Sequence, residues 1–277
     1  MKYIFFDYDG TMTSHKDFSL RQNTIDTLNA LIQKGHKVFL CTGRAPQFIF
    51  DNILPLIPLE GFISCGGNYI YLHNQLMEDN SIDSTLLDKT LKIMKDNQIY
   101  FSLETKDENY QTKTTRDTWD KINKERFRNN PELAKRKFKV TPFTIVEDNF
   151  DYSNLKVGKI GFVCEDRKRF EQVQDQFPEF YINTPIHLDS NYINGELTLK
   201  SCSKSHGMEV LLNALHASKE DTIAFGDGGN DYPMIEYAHI GVVHQDAPDD
   251  LKALANYVFQ DESENGIYKI CKEMGLL

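Results

Sequence analysis

Asp7-Tyr8-Asp9-Gly10-Thr11 follows directly on the apolar run Tyr3-Ile4-Phe5-Phe6. Two carboxylates one residue apart at the end of a buried strand are unusual unless a cation or a reaction needs them there. Open α/β sheets place their chemistry at the C-terminal ends of parallel strands. The competing reading is an ordinary turn, since Asp and Gly both favour turns after a strand.

Three further loops carry residues of complementary type. Thr42-Gly43-Arg44 follows Phe39-Leu40-Cys41 and offers a hydroxyl, an accessible backbone N–H and a guanidinium, the makings of an oxyanion site. Lys204, in Ser201-Cys202-Ser203-Lys204-Ser205-His206-Gly207, stands at the start of a predicted helix, where a cation opposes the helix dipole. Its charge is better used against an anion, although Lys200 lies only four residues earlier. Gly226-Asp227-Gly228-Gly229-Asn230-Asp231 follows Ile223-Ala224-Phe225 and brings two carboxylates and an amide to another strand end. Mg²⁺ prefers a few carboxylate oxygens completed by water and substrate phosphate, and this loop could complete such a shell. Each of the three also has a plain structural reading as a turn, a surface lysine or a glycine-rich loop.

The elements that must position these loops alternate in type. A strand over Ile4–Phe6 leads to a helix capped by Ser19 and running to about Lys34, with Ile25, Leu28, Leu31 and Ile32 on its apolar face. Gly35 ends it, and Lys37–Cys41 is the second strand; a helix after Ala45 and the strand Gly61–Ser64 follow. Consecutive βαβ units imply a parallel sheet. Residues 81–187 differ: strand signals at 100–104, 156–163 and 180–182, a helix over 166–176, and a charged run from Lys121 to Lys139 that reads as a solvated face. The βα rhythm then returns, with a helix over about 204–217, a strand at 222–225, a helix starting near Asp231, and short strands at 241–243 and 257–259. The expected fold is α/β, a Rossmann-like parallel-sheet core domain (1–80 and 188–277) carrying an inserted α+β cap domain (81–187).

Composition sets the partners. A chain of 277 residues suits two domains, and a net charge of -10 argues against nucleic acid. The five cysteines (Cys41, Cys65, Cys164, Cys202, Cys271) lack CxxC spacing, as expected of reduced thiols in a cytoplasmic protein. No apolar run reaches the roughly 18 residues of a membrane span, and the N-terminus does not read as a signal peptide.

Order and type of the four loops resemble the haloacid dehalogenase superfamily, whose pattern is DxDGT, a Ser/Thr after the second strand, Lys, then GDxxND. Here these are Asp7-Tyr8-Asp9-Gly10-Thr11, Thr42, Lys204 and Gly226–Asp231. The long insertion is similar to the type II cap (C2B) of the Cof-like branch, whose members are mostly phosphatases of sugar phosphates or small organophosphates. The resemblance implies a Mg²⁺-dependent phosphatase with Asp7 as nucleophile, forming an aspartyl-phosphate, and Asp9 as general acid and base. It implies metal ligation by Asp7, the Asp9 backbone carbonyl and Asp227, with Asp231 nearby or acting through water. Phosphate contacts fall to Thr42, Gly43, Arg44, Lys204 and Asn230, with Asn230 orienting Lys204 or the phosphate. The partner is a small phosphorylated metabolite; which one, and the oligomeric state, are left open. His187, Asp189, Tyr192 and Asn194 are candidate substrate contacts or hinge packing. The chain departs from the branch at Cys65-Gly66-Gly67-Asn68, where Gly66 stands for the usual Asn of an Asn-Gly pair, which could shift specificity. The alternatives are a phosphomutase or phosphotransferase of the same family, or a non-catalytic binding protein that kept the fold. A phospho-accepting receiver uses similar residue types but is about half as long and lacks the insertion.

Overall fold

The computed structural model describes residues 1–126, 142–184 and 191–277. Among the described residues fourteen strands run in chain order. The first five are β1 (Tyr3–Asp7), β2 (Lys37–Cys41), β3 (Gly61–Ser64), β4 (Tyr69–Leu72) and β5 (Gln75–Asp79). The middle six are β6 (Tyr100–Thr105), β7 (Asn109–Thr112), β8 (Phe143–Val146), β9 (Val157–Cys164), β10 (Phe180–Asn183) and β11 (Ile193–Leu199). The last three are β12 (Thr222–Gly226), β13 (Ile240–His244) and β14 (Tyr257–Phe259). The chain divides into two compact units, one of Met1–Arg44, Phe48–Glu78 and Cys202–Leu277, the other of Ala45–Gln47 and Asp79–Ser201.

The first unit is built on an eight-stranded sheet in the order β14-β13-β12-β1-β2-β3-β4-β5. Neighbours from β14 through to β3 are parallel, and β4 turns back antiparallel to β3. All five residues of β1 are buried, as a central parallel strand requires. Phe5 stacks on Phe39 at 4.6 Å and Phe6 on Phe225 at 4.4 Å, locking β1 to β2 and β12. From β1 the chain winds outward to β2 and β3, and later returns on the opposite side at β12. The reversal of winding between β1 and β12 opens a crevice at their C-terminal ends, where ligands of doubly wound sheets bind. Helix Lys204–Ala214 covers one face, and Gly207 lets it lie close, since a Cβ there would come within 2.6 Å of Ile63 Cδ1.

The second unit holds a six-stranded sheet, β10-β11-β9-β6-β7-β8, antiparallel except for the parallel β7–β8 pair. Its core gathers Leu87, Leu91 and Met94 of helix Ser84–Asp96 with Phe101, Leu103, Ile160, Phe162 and Phe170.

Four expectations about the elements are corrected. The return from the second unit falls at Ser201/Cys202 rather than near 188, because β11 pairs with β9 and β10 instead of joining the parallel sheet. The first helix spans Gln22–Gln33 and is not capped by Ser19, whose hydroxyl donates to Asp17 Oδ1 at 2.7 Å. Only Arg167–Glu171 of the expected 166–176 helix is α-helical, with Asp166 as its cap, followed by a tight turn at Gln174–Gln176. The helix expected to reach 217 ends at Ala214, and His216 takes a left-handed φ of 50°. His187, Asp189 and much of the charged run around Pro131 lie outside the described residues. All five cysteines are buried. Among the described residues no helix is long and apolar enough to cross a membrane.

Candidate active site

β1 delivers Asp7 to the mouth of the crevice, where only 4% of its surface is exposed. The chain then turns tightly through Tyr8–Met12. Gly10 makes the turn possible twice over: its φ is +90°, and a Cβ on it would stand 2.4 Å from Asp227 Oδ2. The turn therefore brings the acidic strand end against the glycine-rich loop after β12.

Lys204 approaches from the other direction. Ser203 caps its helix by accepting the His206 N–H at 3.1 Å, which fixes the first turn and aims Lys204 inward. The lysine is 1% exposed, and its ammonium donates to Asp7 Oδ1 and, at 2.5 Å, to Asp231 Oδ1. The other oxygen of Asp231 accepts the backbone N–H of Asp227 at 2.9 Å and of Gly228 at 3.0 Å. One buried carboxylate thus grips the lysine and closes the loop that carries Asp227. Thr11 Oγ1 donates to Asp227 Oδ1 at 3.0 Å, tying that loop back to β1.

One ligand atom each from Asp7, Asp227 and Asp231 can be chosen so that all lie within 4.8 Å of one another. Three carboxylates share one ammonium in this space. Burial, and after it the Asp231 carboxylate, pushes the Asp7 carboxyl well above the ordinary range in spite of Lys204. Burial alone would lower the pKa of Lys204, but Asp231 and Asp7 more than offset this and hold the ammonium charged. The donor set is hard, oxygen-only and short of positive charge, which fits a small divalent cation.

Thr42 is fully buried, and its Oγ1 accepts the Arg44 N–H at 3.1 Å. The loop after β3 braces it: Cys65 N–H donates to Arg44 O at 2.9 Å and Gly66 N–H to Thr42 O at 3.0 Å. Cys65, Gly66 and Gly67 hold φ values of 48°, 72° and 126°, a left-handed run in which glycine is the natural choice at two positions. The guanidinium of Arg44 stacks over Phe48 at 4.2 Å and donates to both oxygens of Asp9, at 2.8 and 2.6 Å. Asp9 itself is exposed at the end of the turn.

The structure thus brings Asp7, Lys204, Asp227 and Asp231 into one cluster, with Asp9 paired to Arg44. Asn230 is exposed, and the ammonium of Lys204 is held by Asp231 and Asp7. Asn194 is buried in β11 and Tyr192 half-buried before it, both within the second unit. Thr11 and His15, both against Asp227, carried no expected role; the spacing of a hydroxyl four residues after Asp7 was the available signal for Thr11.

The chain matches the haloacid dehalogenase-like hydrolase family over residues 4–270 and belongs to it. It is 29% identical to the protein named "Putative phosphatase YkrA" of Bacillus subtilis, covering 100% of this chain and 98% of that one. It is 26% identical to Phosphatase YwpJ of the same organism, over 99% of this chain and 100% of the other. Among solved structures, a haloacid dehalogenase-like hydrolase from B. subtilis superposes with a TM-score of 0.81 at 22% identity, covering 99% and 100% of the two chains. The subclass IIB sugar phosphatase BT4131 gives 0.78 at 24% identity with both chains fully covered. At these identities the superpositions establish the fold.

Proposed function

We propose that this member of the haloacid dehalogenase-like hydrolase family is a Mg²⁺-dependent phosphatase of small phosphomonoesters, with Asp7 as the nucleophile. The observation that carries the reading is the buried Lys204 ammonium shared by Asp7 and Asp231, with Asp227 facing the same space. A buried lysine on two carboxylates beside a third is a poor structural device, because taking the carboxylates as well as the ammonium out of water costs much of what their attraction returns. It is a good receptor for a phosphoryl group, which needs its charge neutralised while attacking and leaving oxygens are held in line.

Asp7 and Asp227 would hold the cation through carboxylate oxygens, with the Asp9 backbone carbonyl, while Asp231 acts on Lys204 and the loop or through water. The bound cation supplies charge neutralisation between nucleophile and phosphate dianion. An Asp7 oxygen attacks phosphorus and the ester bond to the leaving alkoxide breaks, giving an aspartyl-phosphate. Asp9 protonates that alkoxide, then takes a proton from the water that attacks phosphorus and frees Asp7. Arg44 donates to both oxygens of the Asp9 carboxylate in this structure, so one of those hydrogen bonds opens when Asp9 carries the proton. Thr42, Gly43 and Lys204 contact the non-bridging oxygens. Selection of the leaving group falls to the second unit in the role of the cap. A sugar phosphate or similar metabolite is the substrate class assigned, and five buried cysteines without CxxC spacing suit the cytoplasm.

A screen of phosphorylated metabolites with Mg²⁺, run beside Asp7→Asn, tests this. Release of inorganic phosphate from at least one small phosphomonoester, lost with chelator and in the variant, is the expected result. Near-wild-type release by Asp7→Asn would overturn the nucleophile assignment, and transfer to a second substrate in place of release would make the enzyme a phosphotransferase.

A further inference from the structure

We propose that His15 is a positioning residue for Asp227, holding that carboxylate in the orientation from which it takes the divalent cation. The inference rests on the reading of Asp227 as a cation ligand and extends it to a residue outside the four loops.

Asp227 lies in the run Gly226-Asp227-Gly228-Gly229. The two hydrogen bonds to Asp231 fix the backbone of that run, but glycine neighbours give the Asp227 side chain nothing to pack against. Its orientation is set from the turn after β1. Thr11 Oγ1 donates to Oδ1 at 3.0 Å, and His15 Nε2 stands 3.2 Å from Oδ2 as a close ion-pair contact rather than an aligned hydrogen bond. The missing side chain at Gly10 makes the approach possible, because a Cβ there would lie 2.8 Å from His15 Nε2 as well as against Asp227.

His15 is itself supported. Its ring stacks on His244 with centroids 4.3 Å apart, and His244 is 1% exposed at the end of β13. Its backbone N–H donates to Asp261 Oδ2 at 2.9 Å, and Ser14 Oγ donates to Asp261 Oδ1 at 2.8 Å. A histidine clamped at its backbone, stacked on a buried ring and aimed at a carboxylate is the arrangement by which a residue in contact with a ligand tunes metal affinity.

Calorimetric titration of the full chain with Mg²⁺ in the absence of substrate tests the proposal, with Tm in chelator recording the fold. His15→Ala should raise Kd and the KM for Mg²⁺ about tenfold or more. Its kcat at saturating metal should stay close to wild type. His15→Gln, which keeps an N–H donor, should recover most of the affinity, and it serves in its own right if His15→Ala does not fold. An unchanged Kd with a lowered Tm would make His15 structural only, and a tighter Kd would make it a competitor of the cation; either overturns the proposal. Asp227→Asn separates the two levels. If it abolishes binding while His15→Ala does not weaken it, the inference alone fails; if Asp227→Asn binds as wild type does, the cation-site reading and the inference fall together.

Discussion

Removing the Lys204 charge tests how the acidic cluster is held together. Lys204→Met keeps most of the aliphatic stem but deletes the ammonium that meets Asp7 and Asp231. Both carboxylates are at least 94% buried at the side chain, so water cannot take the place of the lost partner. Breaking a buried ion pair from one side typically costs about 3–5 kcal/mol. At about 2–4 °C per kcal/mol for a unit of this size, Tm in chelator should fall by roughly 6–20 °C. Denaturant titrations at constant m would give the free energy directly. Asp231→Asn should also destabilise, and the double variant should be less unstable than the two losses summed, by about 0.5–3 kcal/mol, because the partners are in contact. Mg²⁺ should return more stability to Lys204→Met than to the wild type, since a cation then restores charge that the variant lacks. A Lys204→Met protein within about 0.5 kcal/mol of wild type in chelator, as at an ordinary surface site, would mean that the ammonium does not hold the cluster together.

Two further perturbations act on the supports. Gly10→Ala places a side chain at a left-handed φ and against Asp227, so it should lose at least about 1–2 kcal/mol of stability and weaken Mg²⁺ binding; normal values for both, by thermal melt and calorimetry, would contradict the packing described. Burial alone would raise the pKa of Asp261, but hydrogen bonds from Ser263, Ser14 and His15 hold its carboxyl well below the usual range. A depressed carboxylate contributes stability that is present above its unfolded-state pKa of about 4 and is lost as pH falls below it. Asp261→Asn should therefore lower Tm at neutral pH, with the gap to wild type closing as the medium is acidified; parallel Tm curves across that range would count against it.

What the sequence made legible were features set by local chemistry. Strand ends rich in Asp, Thr and Gly announced themselves because apolar runs of period two or continuous burial stop abruptly there, and β1, β2 and β12 duly deliver Asp7, Thr42 and Asp227 to one edge. The role of Asp231 was not legible. Which lone pair meets Lys204 and which meets the loop amides depends on how the loop folds back, not on residue type. His15 lay hidden for a related reason, since its contact with Asp227 exists only once β1 and β12 are neighbours. Residues 188–201 were expected in the core domain, whereas Ile193–Leu199 pairs with β9 and β10, a choice decided by the second unit's core. Ser19 failed as a cap because Asp17 two residues earlier captured its hydroxyl.

Under the proposed function Asp7 carries the phosphoryl group between the two chemical steps, with Asp9 serving the proton transfers. Asp9→Asn leaves the nucleophile and Lys204 in place while removing the proton donor and acceptor. The variant is incubated with Mg²⁺ and an aryl phosphate, whose leaving group needs little protonation, then quenched with acid and digested for mass spectrometry. A phosphoryl adduct is expected on the peptide bearing Asp7, removed by hydroxylamine and missing when Asp7 is also changed to Asn. An adduct on another residue, or phosphatase turnover that persists in Asp7→Asn with no adduct on any peptide, would contradict it.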